Sequence, residues 1–179
     1  MDFSEWTLET IREFDSSYSW LEEVRFNWVP QAMSAVSKLL EGSTIIVVTD
    51  SEFKWYGDYI VRHINKIRGE RPFVPAYKLC SLFPQVKFLS NATEFDMLFD
   101  MLDISFPNGY IFWYVGSGDH NHYEYIEQDK ESMIWRLNKE IEGYFSLNRK
   151  DPKIDIKLIQ SFELFDRAIS AGLFGEVEL

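Results

Sequence analysis

Residues 43–51 read STIIVVTDS, Ser43 to Ser51. Thr44, Ile45, Ile46, Val47 and Val48 are apolar or β-branched without a break, the pattern of a strand buried on both faces, as in a parallel sheet. The stretch ends at Thr49-Asp50-Ser51 and runs into helical spacing. A strand-to-helix corner of this kind is where an α/β protein places a ligand loop. Here the corner has no glycine before Gly57. It cannot bring backbone amides up to a phosphate as a G-x-G-x-x-G or Walker loop does. A nucleotide-binder's scaffold without the loop chemistry points to contact with another protein.

On the N-terminal side, residues 2–17 read as a helix with Phe3, Trp6, Ile11 and Phe14 toward one side. Residues 19–40 read as a second helical segment, striped by Leu21, Val24 and Trp28 and then by Met33, Val36 and Leu40. Pro30 falls inside it and is expected to kink the helix or start a new one, because it lacks an amide donor and crowds the preceding turn. Gly42 stops the segment.

On the C-terminal side the pattern alternates. A helix from Glu52 to about Ile67 takes Asp50 or Ser51 as N-cap. Phe73 to Leu79 reads as a strand, and Pro75 within it places that strand at an edge. A short helix, Ala92 to Leu102, is entered through Asn91. Tyr110 to Val115, YIFWYV, reads as a central strand. The polar loop Gly116 to Tyr123 leads to a short helix, followed by strands at Met133–Leu137 and Tyr144–Leu147. Asp151-Pro152 starts a last helix, which buries Ile154, Leu158, Phe162, Phe165 and Ile169 and ends at Gly172 or Gly175. With right-handed crossovers this order predicts an α/β fold of three layers, α-β-α, around a five-stranded, mostly parallel sheet. Residues 1–179 are expected to form one domain. Within it, residues 1–41 are N-terminal helices outside the core, suited to oligomerisation, and 42–179 are the α/β core.

The chain has 179 residues, enough for one domain with a full core, and 46% are hydrophobic, which excludes a disordered chain. No apolar run reaches the ~20 residues that span a bilayer. The acidic N-terminus, MDFSEWTLETIREFD, does not fit a signal or transit peptide. The single cysteine, Cys80, excludes an intramolecular disulfide and fits a reducing compartment, so a cytoplasmic location is expected. The net charge of −11 repels phosphate backbones and argues against direct nucleic-acid binding, while leaving basic proteins as partners. Aromatic residues make up 17%, with 6 Trp, 9 Tyr and 15 Phe. The surplus reads either as an aromatic core or as contact area for subunits and partners.

Three constellations bear on chemistry. Asp119, His120 and His122 follow the YIFWYV strand, but without an H-x-x-x-H on a helix or a cysteine partner they read as a solvated loop before a metal site. Gly116-Ser117-Gly118 is a short turn that could form a small anion nest. Cys80 and His63 have no sequence neighbours that suggest a nucleophile and its base. No catalytic set, metal or cofactor is expected. Leu173 and Phe174, at the end of the last apolar helix face, read either as a hydrophobic C-cap contact or as an exposed anchor for a partner.

Along nearly its whole length the chain resembles the HobA family of DnaA-binding regulators, itself similar in structure to DiaA and to sugar isomerase (SIS) domains. The resemblance is carried by Trp20-Leu21-Glu22 with Arg25, Asp50-Ser51 with Trp55 and Tyr59, and Glu70-Arg71-Pro72. Phe112-Trp113 with Val115-Gly116, Leu164-Phe165 with Ala168, Leu173, Val177 and Leu179 complete it. It implies an SIS-like, flavodoxin-like Rossmann variant that forms a homotetramer and binds the N-terminal domain of the initiator DnaA, without catalysis or cofactor. In the DiaA relatives a Leu-Phe pair near the C-terminus contributes to the DnaA surface, and Leu173-Phe174 matches it. Trp55 and Tyr56 are further candidates for that surface, and Trp6, Phe14, Trp20 and Trp28 for subunit contacts. A sugar-phosphate binding or isomerase domain on the same fold is the alternative reading.

Overall fold

Alternate residues of a strand face opposite ways, and in the central strands of this chain both sets are apolar. β1 (Thr44–Thr49) sends Ile45 and Val47 into one buried cluster and Ile46 into another. β3 (Tyr110–Gly116) sends Ile111, Trp113 and Val115 to the first and Phe112 and Tyr114 to the second. β4 (Met133–Arg136) divides Met133 and Trp135 from Ile134 in the same way. Such strands are covered on both sides, which makes the domain three layers thick. This computed structural model describes residues 1–66, 71–118, 121–128, 131–138 and 143–179, with the backbone alone at 121 and 122.

β2 (Ala76–Lys78) and β5 (Phe145–Ser146) are the edges, and the sheet order is β2-β1-β3-β4-β5 with every described pairing parallel. This is the order of a flavodoxin-like doubly wound sheet, whose direction of winding reverses between β1 and β3. One layer holds α1 (Phe3–Glu13), α2 (Trp20–Leu40), α3 (Lys54–His63) and α7 (Ile154–Leu173). The other holds α4 (Leu79–Leu82), α5 (Ala92–Ser105) and α6 (Asn121–Glu127).

Several expectations change. The first helix ends at Glu13 rather than at residue 17, where a short 3-10 turn, Ser16–Tyr18, replaces it. Asp2 sets its start by accepting the amides of Ser4 and Glu5 at 2.9 and 3.2 Å. α1 and α2 are not outside the core, because Phe3, Ile11, Leu21, Trp28, Ala32 and Val36 belong to the cluster that covers β1, β3 and β4. α2 runs through Pro30 as one helix. Pro30 lies on the exposed side, where water can take the freed carbonyl of Phe26, while the buried face holds the rest of the helix in register.

β2 spans fewer residues than expected, since Pro72 and Pro75 leave few donors for a ladder, yet it takes the predicted edge position. α3 ends at His63, and Ile67 lies outside the described residues. α7 begins at Ile154, not at Pro152. Asp151 precedes it in a turn, accepting from the Lys153 amide at 2.8 Å and pairing with Lys157 at 2.7 Å.

The aromatic surplus is spent largely on the core. Trp113 meets Trp135 and Phe165 edge to face, both with centroids 4.9 Å apart, and Trp135 meets Phe145 at 5.0 Å. The indole N–H groups of Trp28, Trp113 and Trp135 are buried without a hydrogen-bond partner among the described residues. Packing therefore holds these rings in place, against the cost of the unpaired donors.

Close packing of α2 on α7 depends on Gly172. A Cβ there would stand 2.5 Å from Val36 Cγ1. Gly172→Ala is expected to destabilise the fold by about 1–3 kcal/mol through overpacking. The check is a urea melt, in which the midpoint falls and Val36→Ala in the same chain restores part of it. An unchanged midpoint in the single variant would refute the close contact.

Candidate functional site

In an open parallel sheet the ligand crevice lies at the carboxyl ends of the strands where the winding reverses, here between β1 and β3. Asp50 follows β1 and Ser117 follows β3. Asp50 has the backbone of a helix cap, with φ −61° and ψ 160°, but its side chain makes no capping bond. It turns across to β3 instead. The Tyr114 hydroxyl donates to Oδ1 at 2.6 Å, while the Ser117 amide and hydroxyl donate to Oδ2 at 2.6 and 2.9 Å. The Gly118 amide donates in turn to the Tyr114 oxygen at 3.0 Å. Asp50 is only 5% exposed, so this is a buried carboxylate supplied with three donors.

The turn at Gly116-Ser117-Gly118 is thus not open to an outside anion, because Ser117 already holds an anion of the chain itself. Ser117 gives to Asp50 the donors that a phosphate would take. Burial, reinforced by the Asp50 carboxylate, raises the Tyr114 phenol far above its ordinary range, so it stays a donor. Gly116 makes the arrangement possible, because a Cβ at that position would lie 2.3–2.5 Å from the Asp50 carboxyl atoms. Close by, the Arg136 guanidinium lies 4.3 Å from the Tyr123 ring centroid.

Little else at this end of the sheet suggests catalysis. Asp119 and His120 lie outside the described residues, and the backbone alone is described for His122. Among the described residues no group of three metal-ligating side chains converges, and no helix is long and apolar enough to cross a membrane. A cleft of about 510 Å³ beside β1 and β2 is lined in part by Val48, Ser51, Lys54, Lys78 and Cys80, with Lys78 paired to Asp58. His63 lies elsewhere, between α3 and α7, with its ring 4.0 Å from that of Tyr59. The structure does not bring Cys80 and His63 together.

The surface candidates separate. Phe174 is 56% exposed and Leu173 half-buried. They stand at the end of α7, where Gly175, at φ +71°, closes the helix. The Glu176 amide reaches the Ala171 carbonyl at 2.8 Å and the Gly175 amide that of Gly172 at 3.2 Å, a Schellman turn that a residue with a Cβ adopts only under strain. Trp55 is 37% exposed, but Tyr56 is fully buried and donates to the Leu158 carbonyl at 2.8 Å. Tyr56 is thus a core residue with no surface to offer a partner. Leu158 and Leu173 are 15 residues apart on α7, or about 22 Å of helix, so Trp55 and Phe174 form no single patch.

Of the residues suggested for subunit contacts, Trp28 is fully buried and stacks on Phe3 at 6.2 Å. Trp6, Phe14 and Trp20 are partly exposed. Phe14 stacks on Tyr18 at 4.2 Å, and Trp20 donates to Gln160 at 2.7 Å. The sequence reading passed over Phe26 at 67% exposure and Met97, Met101 and Ile104 at 62, 47 and 82%. In a helix with apolar residues on two sides, spacing alone does not say which side faces in.

A family model described as HobA, DNA replication regulator, matches residues 1–179. The DNA replication regulator protein HobA of Helicobacter pylori is 27% identical over 186 residues, covering 99% of both chains. The crystal structure of HobA from Helicobacter pylori aligns with a TM-score of 0.75 at 25% identity, over 100% of this chain and 99% of that one. A HobA–DnaA (domain I-II) complex from the same organism contains a chain that aligns equally well, at 26% identity and with the same coverage.

The Asp50 arrangement makes a quantitative prediction. Asp50→Ala, which strands the donors of Tyr114 and Ser117, is expected to cost about 1–3 kcal/mol, and Gly116→Ala a similar amount by expelling the carboxylate. Together they should cost less than the sum by about 1 kcal/mol or more, measured by denaturant unfolding. Strict additivity would show that Gly116 does not make room for Asp50.

Proposed function

The chain belongs to the HobA family of DNA replication regulators, and from that premise we propose that it is a non-enzymatic adaptor for the N-terminal domain of the initiator DnaA. As a homotetramer it promotes assembly of the initiator at the chromosomal origin, in the cytoplasm. The observation that carries this reading is the full-length likeness to the HobA chain of a HobA–DnaA (domain I-II) complex. The filled crevice supports it, since Asp50 takes the Ser117 donors that a phosphate would use. A net charge of −11 supports a protein partner over DNA itself.

The mechanism is multivalency. A tetramer that holds several initiator molecules raises their effective concentration and fixes their spacing, with no chemistry required. Phe174, with Leu173 beside it, offers an aromatic anchor fixed by the Schellman turn, which lowers the ordering cost of binding. Trp6, Phe14 and Trp20 supply apolar surface for subunit contacts. Trp55 is a separate, smaller apolar point near the opposite end of α7.

Size-exclusion chromatography with light scattering tests the reading directly. The expected result is a tetramer that gains mass, up to four partners, when mixed with the purified DnaA N-terminal domain. A tetramer that gains nothing refutes the adaptor function. Phe174→Ala is expected to weaken binding tenfold or more, about 1.4 kcal/mol, with the melting temperature and the tetramer mass unchanged. Wild-type affinity in that variant would place the contact elsewhere.

A further inference from the structure

α5 is apolar on two sides. Phe95, Leu98 and Leu102 are buried against the sheet, where they belong to the same cluster as Phe112 and Tyr114. Met97, Met101 and Ile104 follow at four- and three-residue spacings on the outer side, exposed by 62, 47 and 82%. A single exposed Met or Ile needs no explanation, but three in one row on a helix mark a contact surface.

A second row runs beside the first, one residue back: Asp96, Asp100 and Asp103, all exposed. None of the three has an ion-pair partner among the described residues. The other edge of the apolar row carries Glu94, whose carboxylate accepts the Ser90 amide at 2.7 Å. At 100° per residue the aspartates form one continuous edge of the stripe, and the two rows share a single helical spacing.

This charge pattern decides what can cover the face. A second copy packed antiparallel across a two-fold axis would set the aspartate edge against itself. Packed parallel, it would set that edge against Glu94. Either way like charges meet, which disfavours pairing with the same chain. A complementary element carries an apolar stripe with lysine or arginine along one side. Phe174 ends α7 in the opposite layer, so a protein seated on α5 leaves the Phe174 surface of that subunit free.

We infer that the outer face of α5 is a second docking surface, separate from the Phe174 surface, for an amphipathic helix edged with lysine or arginine on another protein. Helix-on-stripe contact of this kind is read through anchors at helical spacing, and the acidic edge fixes its orientation.

The test uses the full-length protein and two synthetic 18-residue helical peptides with the same leucine stripe, one edged with lysine and the other with glutamate. Fluorescence anisotropy is expected to show the lysine-edged peptide binding at least tenfold tighter, and more weakly as salt is raised. Met101→Ser with Ile104→Ser, and separately Asp100→Asn with Asp103→Asn, should each weaken it tenfold or more. Phe174→Ala should leave it unchanged. All four substituted α5 positions are exposed, so an unchanged melting temperature serves as the folding control. Equal binding of the two peptides, or equal binding to wild type and both double variants, overturns the inference. So does a loss of tetramer mass in Met101→Ser/Ile104→Ser, which would mean that a second copy covers the face. If that variant also loses the DnaA N-terminal domain, the face belongs to the initiator site and is not a separate one.

Discussion

The carboxylate of Asp50 accepts two donors from Ser117 and one from Tyr114, and so ties the corner after β1 to the end of β3. These are the central strands, where the winding of the sheet reverses and where relatives of this architecture place their ligands. A buried carboxylate is tolerated only with such partners, and the partners in turn would be left unpaired without it. The arrangement is therefore close to all-or-none. It fixes the position of Ser117 and the first turn beyond β3, and Gly116 keeps the space it needs. The crevice between β1 and β3 is thereby occupied by the fold itself.

The two faces of the sheet are built differently. On one side, Trp28, Trp113 and Trp135 with Phe145 and Phe165 make a large aromatic core under four helices. On the other, the described helices α4, α5 and α6 cover a smaller cluster. α2 and α7 approach closely at Gly172, which couples the N-terminal helices to the final one. That layer is therefore stiff, because interiors at crystal-like density transmit displacement without absorbing it.

Much of the fold was legible because β1 and β3 are apolar at successive positions, and only a strand covered on both sides needs that. The edge position of β2 followed from Pro75, and the stop of α2 from Gly42. Pro30 does not start a new helix, because its cost depends on whether the freed carbonyl meets water or protein, which spacing does not reveal. Asp50 was visible as a cap by residue type, but its real partners are 64 and 67 residues away. Tyr56 and Trp28 stand in sequence as candidate partner and subunit contacts, yet the first supplies a hydroxyl to Leu158 and the second packs against Phe3. The outer row of α5 was hidden by the inner one, since both repeat at helical spacing.

The two ends of the described chain meet. The Glu178 amide donates to the Met1 carbonyl at 2.9 Å, and Asp2 and Glu178 form a parallel bridge. Both lie a few residues from Phe174 along the chain or across that bridge. Anything fused to either end therefore emerges beside the Phe174 surface. An affinity tag left in place would crowd the exposed Phe174 ring, whereas a label on the outer face of α5, in the opposite layer, would not. Cleavable tags, or immobilisation through an internal position, are the appropriate geometry for handling this molecule.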